Sequence, residues 1–174
     1  SSLKARVANV WAIPAVLQQI ILGTQVLHDD EHIDQPCYQV CVSLDGLLRR
    51  LESTSTLERV EALNNLGELG LKGGDGAVTA VAGCLEDPEW DVRFVAVWVL
   101  GRLARIGAQH ATTAMTACLD HTDADLRREA ARQLGRLARS GDQRAIDAVI
   151  ACLEHSDGNL RLKAVRELEL LASS

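Results

Sequence analysis

His28 and His32 lie four residues apart and bracket Asp29, Asp30 and Glu31. On a helix that spacing puts both imidazoles on one face, where they could hold a metal. No further ligand pair accompanies them, and an Asp-Asp step favours a turn, so no metal site is assigned. The chain has five cysteines but no CxxC pair and no zinc-finger spacing. Three of them, Cys84, Cys118 and Cys152, recur at an interval of 34, each followed by Leu and an acid. Such recurrence marks a structural slot for a small apolar side chain, not a poised thiolate. Free buried thiols point to an intracellular, reducing compartment, an organelle included. There is no phosphate loop, no Ser/His/Asp pattern and no metalloprotease motif. No catalytic residue, metal or cofactor is therefore assigned.

The 174 residues are enough for one domain with a sizeable core. Aromatics make up only 3% while hydrophobic residues make up 47%, so Leu, Val, Ile and Ala must build that core. The net charge of -6 argues against a general nucleic-acid binder. The chain does not begin with Met, which suggests processing or trimming, and no secretory signal is evident.

What could position functional side chains is a repeat of 34. Leu51, Leu85, Leu119 and Leu153 align at that interval, as do Arg59, Arg93, Arg127 and Arg161. Ala62, Ala96, Ala130 and Ala164 align too, and so do two further leucine columns beginning at Leu66 and Leu69. Gly67, Gly101 and Gly135 form another column, which Glu169 breaks. Each copy reads as two helices. In the second copy Asp75 is expected to cap a first helix over about 76–86, and Asp87-Pro88 to restart the chain into a second helix over about 88–105. Val92, Ala96, Leu100 and Leu103 give that second helix one apolar face. The glycine column is expected to let neighbouring helices approach closely, and the arginine column to pair with turn acids of the neighbouring repeat.

The stretches GDGAVTAVAGCLEDPEWDVRFVAVWVLGRLA and GDQRAIDAVIACLEHSDGNLRLKAVRELELLA resemble HEAT-like repeats of the type found in phycobilin lyases. The resemblance runs over about 38–172 and implies an all-α, right-handed α-solenoid of four helix pairs, with second helices lining the concave side. It is specific for fold and uninformative about activity. The expected divisions are 1–37, an N-terminal apolar segment and polar linker, and 38–174, with repeats at about 38–72, 73–106, 107–140 and 141–174. Tetratricopeptide repeats share the period, but their Trp, Gly-Tyr and Ala-Phe positions are missing.

Three of the five aromatics, Trp90, Phe94 and Trp98, fall on one second helix at spacings of four. Their sister positions in other repeats are mostly polar: Trp98 matches Asn64, Arg132 and Arg166, and Val99 matches Asn65, Gln133 and Glu167. Trp90, Phe94, Val95, Trp98 and Val99 thus form an apolar patch on a face expected to be wet, with Arg102 beside it. Two readings follow: a partner anchors there, or the chain itself covers it. Arg128, Arg132 and Arg136 form an adjoining stripe, which reads either as a solvated face or as a seat for an acidic segment.

Residues 7–27 carry no charge over 21 positions. Pro14 is expected to start a helix running to about Gly23, giving an N-terminal helical segment that presents Trp11. Polar residues inside the stretch argue against a membrane span, so it would cap the first repeat, dock a partner or lie on a membrane surface.

These readings converge on a non-catalytic protein-binding scaffold or accessory subunit of a larger multiprotein assembly. Its partners would be other protein subunits carrying an acidic amphipathic segment, not nucleic acid, and any membrane contact would run through 7–27. The alternatives are a HEAT-like enzyme related to pigment lyases or metal-dependent hydroxylases, or a peripheral membrane-complex subunit. Neither enzyme's ligands or catalytic signature carry over to residues of this chain.

Overall fold

The computed structural model describes 18–22, 25–27 and 39–42 as paired backbone, and 44–173 throughout. The array consists of helix pairs, with α1 at Asp45–Leu51 and α2 at Thr56–Leu69, then α3 at Gly74–Gly83 and α4 at Trp90–Arg105. It continues with α5 at Gln109–Ala117 and α6 at Ala124–Arg139, then α7 at Gln143–Ala151 and α8 at Gly158–Ala172. The even-numbered helices are the second helices foreseen from the period of 34, and they stack on one another repeat after repeat.

Several boundaries have a local cause. Ser55 accepts a hydrogen bond from the Glu58 amide at the start of α2. Asp123, Asp142 and Asp157 cap α6, α7 and α8 in the same manner. The first helices of the last three pairs each tighten into a 3-10 turn at Cys-Leu-acid, at 84–86, 118–120 and 152–154. Gly107 and Gly141 close two of the turns between repeats with φ of 101° and 87°, a conformation costly for any residue with a Cβ. Two boundaries differ from expectation. Asp75 lies inside the first turn of α3, which has no side-chain cap, and bonds His110 of the next repeat at 2.9 Å. Pro88 stays in the turn, and α4 begins at Trp90.

The apolar face expected of α4 is the core: Val92, Ala96, Leu100 and Leu103 are all fully buried. Equivalent residues Leu66, Leu126, Leu134, Leu137 and Leu160, with Leu63 at the Val97 column, extend one continuous cluster along the array. Burying a Leu or Val side chain contributes roughly 1.5–3 kcal/mol, so the stack is held mainly by these columns.

The N-terminal expectation is corrected. Gln18–Leu22 is a strand, β1, not part of a helix from Pro14. It pairs antiparallel with β2 (Gln25–Leu27) and with β3 (Gln39–Val42), giving the order β2-β1-β3. Ile20, Ile21, Val26, Val40 and Val42 are β-branched and favour extended backbone. The pairing of β1 with β2 runs from Ile20 with Leu27 to Leu22 with Gln25. Trp11 lies outside the described residues, as do His28 and His32.

Candidate protein-binding face

The second helices position two kinds of side chain: those that tie repeats together and those left toward solvent. The arginine column belongs to the first kind. Arg59 reaches Asp87 at 3.0 Å, Arg93 reaches Asp123 at 2.8 Å and Arg127 reaches Asp157 at 2.5 Å. Each acid lies in the turn before the next second helix. Each arginine also donates to carbonyls of its own preceding turn: Ser53 for Arg59, Asp87 and Pro88 for Arg93, His121 and Thr122 for Arg127. All six paired side chains are less than one-fifth exposed. The hydrogen bond from Arg93 holds the Asp123 carboxyl below the usual carboxylate range, and that from Arg127 does the same for Asp157.

A second ladder runs beside it and was not read from the sequence. His121 Nδ1 accepts from the Asp123 amide at 2.9 Å, and His155 Nδ1 accepts from the Asp157 amide at 2.9 Å. Their Nε2 atoms face acids of the preceding repeat, Glu86 at 3.6 Å and Asp120 at 3.4 Å. An Nδ1 that accepts places the ring proton on Nε2. His121 and His155 at these turns therefore serve the repeat interface. Recurrence of His at the 34-residue interval was the available signal.

The glycine column does what its spacing implied. A methyl group on Gly67 would meet Val99 at 3.1 Å, and one on Gly101 would meet Gln133 Oε1 at 2.7 Å. On Gly135 it would overlap Glu167. The column of Val99, Gln133 and Glu167 thus packs into the preceding second helix. This corrects one expectation: Val99 is fully buried and forms no part of an exposed patch. Gln133 and Glu167 are polar yet 6% and 5% exposed, because they have partners. Gln133 donates to Glu129 at 2.7 Å, while Glu167 accepts from Lys163 at 2.7 Å and from Arg139. Burial pushes the Glu167 carboxyl up, but those two cations outweigh it and the net displacement is downward. Polarity in a sister column was a poor guide to exposure, since neighbouring charges satisfy it.

Of the remaining patch residues only the two tryptophans are exposed, which corrects the expectation for Val95. Trp90 and Trp98 are each 44% exposed. Phe94 is half-buried and stacks on Trp90 with ring centroids 4.9 Å apart. Val95 is partly buried against the core. The Arg102 guanidinium lies over the Trp98 ring, 5.8 Å from its centroid. On α6, Arg128 pairs with Asp125, and Arg132 makes a two-pronged pair with Glu129 at 2.7 and 2.9 Å. Hydrogen bonding to Glu129 raises the Arg132 pKa further. Arg136 is exposed and has no ion-pair partner among the described residues. The stripe is thus partly neutralised within its own helix, Arg136 excepted.

Burial raises the thiols of Cys84 and Cys152 to about 11 and that of Cys118 to about 12, far from a reactive thiolate. Among the described residues no group of three or more His, Cys, Asp and Glu could hold a metal ion. No described helix is long and apolar enough to cross a membrane.

The model of HEAT repeats matches residues 44–135 and 112–174. The chain belongs to the HEAT-repeat family. Several solved structures are similar to this HEAT-repeat chain. An engineered protein is 22% identical over 73% of this chain and 61% of its own, with a TM-score of 0.47. A designed armadillo repeat protein in complex with the peptide (KR)4 is 18% identical over 74% of this chain and 64% of its own, with a TM-score of 0.47. The complex of CpcE and CpcF of phycocyanin lyase from Nostoc sp. PCC7120 is 19% identical over 85% of this chain and 71% of its own, with a TM-score of 0.47. The chain spans less than two thirds of the first two. No curated protein matches the sequence.

Proposed function

We propose that this HEAT-repeat chain is a non-catalytic scaffold or accessory subunit of a larger assembly. It docks an amphipathic partner segment along the outward faces of α4 and α6. Trp90 and Trp98 would anchor the apolar side of that segment. Arg102, Arg132 and Arg136 would meet its acidic side. The observation that carries the reading is the pair of tryptophans, each 44% exposed on one helix of a protein with only three. A large aromatic left in water forgoes roughly 1.5–3 kcal/mol of burial, and Trp and Arg are the residue types most enriched at binding hot spots.

The test is a pulldown from the native source, read by mass spectrometry, comparing wild type with Trp98→Arg. Arginine already stands at this column in two sister repeats, at Arg132 and Arg166, so the fold should accept it. Loss of a defined set of proteins with an unchanged helical melt supports the reading. Retention of the same set removes it.

A further inference from the structure

The last second helix, α8, carries a face that its sisters cover. At one column Leu63, Val97 and Ala131 are 0%, 0% and 3% exposed, while the fourth member, Val165, is 41% exposed. Leu66, Leu100 and Leu134 are fully buried, yet their counterpart Leu168 is only partly so. Leu162 beside them is 52% exposed. Two charges frame this strip. Arg161 donates to the carbonyls of His155 and Ser156 in its own turn, as its sisters do, but has no aspartate across from it. Glu169 is exposed, and its carboxylate has no ion-pair partner among the described residues. It also stands at the column that holds glycine in the three preceding repeats, Gly67, Gly101 and Gly135.

We propose that this face is a homodimer interface, in which two copies of α8 pack antiparallel about a two-fold axis at Val165. The register is set by the residues. Arg161 and Glu169 lie four positions on either side of Val165, and Leu162 and Leu168 lie three on either side. Antiparallel pairing centred there brings Arg161 against Glu169 of the second copy, twice, and Leu162 against Leu168 of the second copy, twice. Arg161, Val165, Leu168 and Ala172 follow the four-three-four spacing of a stripe that meets another helix. The face is therefore self-complementary in charge and in the placement of its apolar residues, as a two-fold interface requires. A head-to-tail contact is disfavoured, because the first repeat has Ser53 and Ser55 where later repeats place the ladder aspartates. Arg161 would find no carboxylate there. The inference does not rest on the α4 face.

Sedimentation equilibrium of the whole chain across the micromolar range tests it. Wild type is expected to dimerise. Glu169→Arg sets like charges opposite each other at two symmetric places and is expected to weaken the dimer about tenfold or more. Adding Arg161→Glu to that variant reverses both charges and is expected to restore it. Val165→Glu, which leaves both charged residues in place, is expected to give a monomer with a normal helical spectrum. A wild type that stays monomeric, assemblies that grow beyond the dimer, or a Val165→Glu chain that dimerises with unchanged affinity each overturns the proposal.

Discussion

Asp123 serves two helices at once. One carboxylate oxygen accepts Arg93 at 2.8 Å across the repeat interface, and the other accepts the Asp125 amide at 2.9 Å and the Leu126 amide at 3.3 Å, capping its own helix. Asp157 repeats the arrangement with Arg127 and the Asn159 amide. Stability of a repeat array is a sum of units and interfaces, and this one residue contributes to both.

Asp123→Ala therefore removes a helix cap and leaves Arg93 with a buried, unpaired charge. Urea unfolding should show a loss of about 2–4 kcal/mol. Arg128→Ala breaks only the exposed pair with Asp125 and should change stability by less than about 0.5 kcal/mol. Equal effects from the two variants would contradict the ladder as a structural element.

Glycine substitutions should differ in sign along the chain. Gly135→Ala forces Glu167 away from Arg139 and Lys163, and should cost about 1–3 kcal/mol despite alanine's better helix propensity. Gly83 ends α3 with no atom near a prospective Cβ, so Gly83→Ala should gain up to about 1 kcal/mol. Thermal melts of the two variants decide this.

Acid should unfold the array in a defined direction. The carboxyls of Asp123, Asp157 and Glu167 lie below their ordinary values when folded. Groups with depressed folded pKa contribute fully above the unfolded values, about 4 for carboxylates, and lose that contribution as pH falls through the lower folded values. The urea midpoint should fall steeply below about pH 4. In the double variant Asp157→Asn with Glu167→Gln the fall should be shallower.

The recurrent cysteines should be silent in the native protein. With thiols raised to about 11–12 and buried, Cys84, Cys118 and Cys152 should resist iodoacetamide at neutral pH and react on unfolding in urea. Peptide mapping separates them from Cys37 and Cys41. Rapid native labelling of any of the three would contradict the structural role.

Much of this architecture was legible because it repeats. The leucine, alanine, arginine and glycine columns named their own roles, and the structure places Arg59, Arg93 and Arg127 on acids of the next repeat as expected. Exposure was harder to read. Val99 looked like part of a surface patch because its sisters are Asn, Gln and Glu, but Gln133 and Glu167 are buried with partners supplied by Glu129, Lys163 and Arg139. The sequence of one column does not show what its neighbours in space will neutralise. The strands at 18–22, 25–27 and 39–42 were missed for a different reason. A long uncharged run with an early proline was read as a helix, and the β-branched pairs flanking Gly23-Thr24 were given too little weight.

Oxidative footprinting of Trp90 and Trp98, in the free chain and in the complex captured from its native source, tests the proposed docking face most directly. Both indoles should be modified readily in the free chain, and both should be protected several-fold in the complex. Equal modification in the two states would place the partner elsewhere on the array and contradict the account.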